Sequence, residues 1–123
     1  MSKIVLWVSD LPAQTEFYLA LFDGAVSNAS REFAQVSGSG NSVLLHLLPE
    51  DYRHETPLTA QLPKQSEVAI KPVFEVDDIP AAIKRTAHTL ATFADQSATY
   101  GDFIYLDVVD PEGNVIQLQQ RTN

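Results

Sequence analysis

Five side chains near the C-terminus, Phe103, Tyr105, Asp107, Gln117 and Gln119, have the types and spacing of a binding wall. They fall at alternate positions of two apolar runs, 103–109 and 115–120, so strand periodicity gathers them on one face. Ile104, Leu106, Val108, Ile116 and Leu118 take the other face, an apolar wall that must be covered. A face with two rings, a carboxylate and two amides is too polar for a core and too aromatic for bulk solvent. It suits stacking and hydrogen bonding to a small molecule in a cleft. Other chemistries find little support. There is no cysteine, which excludes disulfides and thiolate metal sites. No nucleophile–base signature, glycine-rich phosphate loop or His-x-x-x-His spacing occurs. Of the histidines, His54 falls in a polar linker and His88 on a helix, and both read as solvated.

The two runs are joined by Asp110-Pro111-Glu112-Gly113-Asn114. Pro111 presets the second turn position, Gly113 can take the positive φ that closes the turn, and Asp110 can accept from the turn backbone. Upstream, residues 4–8 read as a strand, and Ser9-Asp10-Leu11-Pro12 as the start of a helix over 13–22, ended by Asp23-Gly24. Strands follow near 25–27, 32–36 and 42–48. Residues 49–66, with Pro49, Pro57 and Pro63 among charged side chains, read as a linker that can hold one helical turn. A strand over 68–76, a helix over 77–90, a short strand at 92–94 and the final hairpin complete the chain.

This is a repeat. Val8-Ser9-Asp10-Leu11-Pro12-Ala13 returns 68 positions later as Val76-Asp77-Asp78-Ile79-Pro80-Ala81, and Gly40-Asn41 returns as Gly113-Asn114. Two modules of strand, helix and three strands, about 1–48 and 67–123, must associate, because one helix cannot cover its own sheet. The expected architecture is α+β, a single domain over 1–123. The formal net charge of -8 disfavours nucleic acid or an anionic membrane as partner and tolerates a cationic ligand. No apolar run approaches the ~20 residues of a membrane span, and no leader is evident, so the expected location is cytoplasmic.

The duplicated Val-x-Asp-Leu/Ile-Pro helix entry and the Asp110-Pro111-Glu112-Gly113-Asn114 hairpin resemble the vicinal oxygen chelate superfamily. Its members include glyoxalases, extradiol dioxygenases, fosfomycin-resistance enzymes and bleomycin-resistance proteins. The resemblance implies paired βαβββ modules in a curved mixed sheet around a cleft, and a homodimer. It also implies a divalent metal held from the first and last strands of each module. Aligned on the repeats, those positions are Lys3, Leu44, Lys71 and Gln117. Two ammonium groups and an isobutyl group do not coordinate a cation, so no metal or other cofactor is expected there.

His46 lies two residues beyond Leu44, on the cleft face, and Glu75 takes the same side of its strand. A displaced metal site around His46 and Glu75, with Gln117 or Gln119, would make the protein a lyase or dioxygenase. The blander reading bonds His46 to a neighbour across the cleft. By alternation Val5 and Trp7 also face the cleft, giving an aromatic and acidic lining. Lys3 and Lys71 are expected to extend to solvent. The function that follows is metal-independent binding of a small organic molecule, planar or cationic. A non-catalytic scaffold is the third possibility.

Overall fold

The computed structural model describes residues 2–53 and 68–122. Most of the expected linker, His54 included, lies outside them, and its start forms a single 3-10 turn, Glu50–Tyr52. The first module runs β1 (Ile4–Val8), α1 (Leu11–Phe22), β2 (Ala25–Ser27), β3 (Phe33–Gly38) and β4 (Asn41–Leu47). The second runs β5 (Val73–Glu75), α2 (Ile79–Arg85), β6 (Thr92–Phe93), β7 (Ala98–Tyr100), β8 (Phe103–Val109) and β9 (Val115–Arg121). Each module builds its own sheet, in the orders β1-β4-β3-β2 and β5-β9-β8-β6. In both, the first strand runs parallel to the last and the other pairings are antiparallel. The strands β6 and β7 pair with opposite ends of β8, so they are two halves of one outer strand. The duplicated βαβββ plan is therefore present, with its last module's outer strand broken.

Both helices start on an aspartate. Asp10 Oδ1 accepts from Ala13 N at 3.0 Å, and Asp78 Oδ1 from Ala81 N at 2.9 Å. A proline follows inside the first turn of each, where its missing N–H costs nothing. Helix α1 thus begins two residues before the expected 13. It closes through Asp23 in the left-handed region (φ 48°), with Gly24 N–H donating to Leu19 O at 3.2 Å. Gly24 has no substitute, because a Cβ there would lie 2.1 Å from the Ser37 carbonyl oxygen. Helix α2 stops at Arg85, short of the expected 90. Thr86 is the reason: its hydroxyl donates back to Ala82 O (2.8 Å) and Ile83 O (3.2 Å), competing with continuation. The strand expected over 68–76 shrinks to three residues, since Pro72 accepts from Gln117 N at 2.8 Å but has no N–H to return.

One core serves both modules. Phe17, Tyr18, Leu21 and Phe22 of α1 pack on Val8, Val36, Val43 and Leu45, and on Phe74, Val76, Ile79 and Ala82 of the second module. The Phe22 and Phe74 rings meet edge-on at 5.1 Å. Two polar clasps reinforce the joint. The Glu112 carboxylate accepts from Ser9 N (2.8 Å) and Asp10 N (2.9 Å). The Asn41 amide brackets Glu75, donating from Nδ2 to its O (2.7 Å) and accepting at Oδ1 from its N–H (3.0 Å). Each module's hairpin thus grips the end of the other's first strand, so β1 and β5 run in opposite senses along the seam. Among the described residues no helix is long and apolar enough to cross a membrane.

Candidate functional site

Alternation on every long strand separates a core face from an open face. On β1, Leu6 and Val8 turn inward, while Val5 and Trp7 turn outward and are 50% and 58% exposed. On β8, Leu106 and Val108 are buried and Phe103, Tyr105 and Asp107 lie opposite them. The expected site residues all fall on this open face, but in two groups, one per sheet.

On the first sheet His46 is the register partner of both Trp7 and Phe33. Its ring sits 4.9 Å from Trp7 and 5.1 Å from Phe33, centroid to centroid. His46 is therefore part of an aromatic row within its own sheet, and among the described residues it makes no hydrogen bond across a cleft. Side chains on three adjacent strands pointing the same way at ~5 Å spacing bring these rings into contact.

On the second sheet Asp107 faces Gln117, Tyr105 faces Gln119, and Glu75 faces Gln119 from the other side. Asp107 is engaged on two sides: Lys71 Nζ lies 3.2 Å from Oδ1, and Gln117 Nε2 donates to the same oxygen at 3.0 Å. This corrects the expectation that Lys71 extends to solvent. Its side chain is only 16% exposed, because a carboxylate within reach outweighs hydration of the ammonium. Phe103 is also less open than expected, since the Arg121 guanidinium covers its ring at 4.8 Å. Tyr105 lies 6.1 Å from Phe103 at a tilt.

These positions do not fit a divalent metal. Of the four aligned positions, Leu44 has no donor atom, Lys71 holds Asp107 as an ammonium, and Gln117 turns its amide nitrogen to that carboxylate. A cation placed there would face Lys71 before any ligand. Nor is any group of three His, Cys, Asp or Glu side chains placed to hold a metal ion among the described residues. His46 and Glu75 stand on different sheets.

The hairpin over 110–114 is structural. Asp110 is 2% exposed, and its carboxylate accepts from Gln14 Nε2, Tyr18 OH (2.7 Å), Glu112 N, Asn114 N and Asn114 Nδ2. Burial, then the negative charges of Asp110 and Glu112, push the Tyr18 phenol well above its ordinary range. His88 lies on the surface as expected, 2.9 Å from Glu16.

Two open-face residues were missed in the sequence, Phe33 and Arg121. Both carried a signal: Phe33 is out of phase with the buried Ala34 and Val36, and Arg121 continues the spacing of Gln117 and Gln119.

No model of a known protein family matches the chain. No curated protein sequence matches it either. Solved structures do. A glyoxalase/bleomycin resistance protein from Albidiferax ferrireducens T118 superposes with a TM-score of 0.67 at 16% identity, over 98% of each chain. A glyoxalase/bleomycin resistance protein/dioxygenase family enzyme from Burkholderia phytofirmans PsJN gives 0.67 at 17% identity, over 98% of this chain and 97% of that one. The fosfomycin resistance protein FosX from Mesorhizobium loti gives 0.66 at 16%, over 98% and 90%. The fold is that of the glyoxalase/bleomycin-resistance/dioxygenase proteins.

Proposed function

We propose that this protein binds a small planar organic molecule on its open face without the help of a metal ion. The observation that carries this is the Lys71–Asp107–Gln117 network, which occupies the aligned metal position with an ammonium already paired to a carboxylate. The stacking surface is the row Trp7–His46–Phe33, of which the Trp7 indole is the most open. Asp107 is neutralised, so the carboxylate left to hold a cation is Glu75, which has no ion-pair partner among the described residues. A planar cation with one charge-assisted contact is the preferred ligand, consistent with the net charge of -8. The same reading makes the protein a homodimer, because Val5, Trp7 and Val73 leave apolar surface on both open faces.

The test uses Trp7, the only tryptophan, as reporter. N-methylquinolinium should quench its fluorescence, quinoline-2-carboxylate should not, and EDTA should change neither result. Glu75→Gln should weaken the response about tenfold. Quenching that requires added zinc or manganese would instead support the lyase or dioxygenase reading.

A further inference from the structure

The two sheets meet at the seam without joining, and their facing edges differ in one respect. Leu48 N–H donates to Val8 O at 2.8 Å, which fixes the phase of the parallel β1–β4 ladder. Main-chain groups of Ile4, Leu6 and Val8 point to β4, and those of Val5 and Trp7 point to the seam. Likewise Val76 N–H donates to Gln119 O at 2.9 Å, so β5 turns the main chain of Val73 and Glu75 to the seam.

At Glu75 both seam-facing groups are satisfied by one side-chain amide, that of Asn41. The repeat makes Trp7 the counterpart of Glu75, and Asn114 the counterpart of Asn41. Asn114 does not repeat the bond. Its Nδ2 donates to Asp110 Oδ2 at 2.9 Å. Among the described residues, the N–H and C=O of Val5 and Trp7 on this edge have no partner. A groove of about 550 Å³ reaches this edge at Val5, walled by Ile4, Val5, Leu6, Ile70, Pro72 and Asn114, with Trp7 beyond its lining, and its volume is within the size range of small-molecule sites.

We infer that this groove is a second site, for a small apolar molecule bearing a primary carboxamide or lactam. The group it recognises is the one Asn41 presents to Glu75 on the other seam edge: an N–H and a C=O side by side, read here by the N–H and C=O of Val5. The apolar walls receive the rest of the molecule. Unpaired main-chain groups beside apolar surface reward a ligand that bonds both, since each group left unmade costs more than it returns when made. The site is separate from the stacking row, whose contacts are made by the Trp7 ring and not by its backbone.

The experiment follows backbone 15N–1H resonances during titration with benzamide, N,N-dimethylbenzamide and acetophenone. Benzamide should shift the amide of Val5 in a saturable way. The other two, which lack the N–H, should bind at least about tenfold more weakly. Ile70→Asp, a change at a side chain 80% exposed, should abolish the benzamide shifts with the remaining spectrum unchanged. Equal binding by all three probes, or shifts confined to the His46 and Phe33 region, would overturn the inference. Quenching by N-methylquinolinium in the Ile70→Asp variant reports the stacking site independently.

Discussion

The two modules share a plan but divide the labour of stability and of openness. The first has a twelve-residue helix, a five-residue first strand and an unbroken sheet. The second has a seven-residue helix, a three-residue first strand and a split outer strand. Yet the most heavily bonded polar centre, Asp110, belongs to the second, and its donors include Gln14 and Tyr18 of the first module's helix. The shorter module is thus held by the longer one's helix, and its hairpin is the fastening. The first hairpin, at Asn41, fastens in return with a single amide. Duplication fixed the strand order. What each hairpin grips was free to diverge, and divergence left one seam edge closed at Glu75 and the other open at Trp7.

The largest effect should therefore come from Asp110. Asp110→Ala removes the shared acceptor of several buried donors and leaves Tyr18 and Gln14 unsatisfied, at a cost of about 3–4 kcal/mol in urea unfolding. The side chain of its first-module counterpart in the repeat, Ser37, bonds only Ser42 Oγ at 3.0 Å among the described residues, and Ser37→Ala should cost under about 1 kcal/mol. Similar losses at both positions would erase the asymmetry. Alkali tests the same centre. The Tyr18 phenol has a folded pKa raised above its unfolded value, so the unfolded chain sheds this proton first. Stability is whole below the ordinary tyrosine pKa near 10 and falls above it, by up to about 1.4 kcal/mol per pH unit for this one group. In Tyr18→Phe that part of the alkaline slope should vanish.

Next in size is Asn41→Ala. Two bonds to Glu75 are lost from a side chain only 9% exposed, and a loss of about 1–2 kcal/mol is expected. The variant also makes the two seam edges alike. Benzamide should then shift the Glu75 amide as well as that of Val5, and a silent Glu75 would mean that something other than Asn41 closes that edge.

The fold was legible because its signals are local and duplicated. Aspartate–proline helix entries and a hairpin with glycine at the positive-φ position (Gly113, φ 89°) state their structure within a few residues. Where the reading failed, distant partners or competing side chains decided. β7 went unseen because Ala98–Tyr100 is short and fully exposed, and only pairing with β8 makes it a strand. The end of α2 turned on one threonine hydroxyl. Alternation placed the site residues on the correct face, but whether two strands belong to one sheet is a long-range fact. It could not say that His46 and Glu75 stand on different sheets, nor that Lys71 would find Asp107 from 36 positions away.

That ion pair yields the smallest and most discriminating prediction. Lys71 and Asp107 are partly exposed, 16% and 27%, and the pair is flanked by Gln117, so Lys71→Met should change stability by no more than about 1 kcal/mol. Its consequence lies in the charge of the open face. Without the ammonium, Asp107 joins Glu75 as an available carboxylate, and N-methylquinolinium should bind several-fold more tightly by Trp7 quenching. Lys3, the counterpart of Lys71 in the repeat, has no ion-pair partner among the described residues. Lys3→Met should therefore alter neither stability nor affinity by a measurable amount. If instead Lys71→Met left cation binding unchanged while Glu75→Gln abolished it, ligand and ion pair would occupy separate parts of the second sheet. The stacking row would then be paired with Glu75 alone. If Lys71→Met weakened binding, the lysine would be a ligand contact, and the preferred molecule would be an anion.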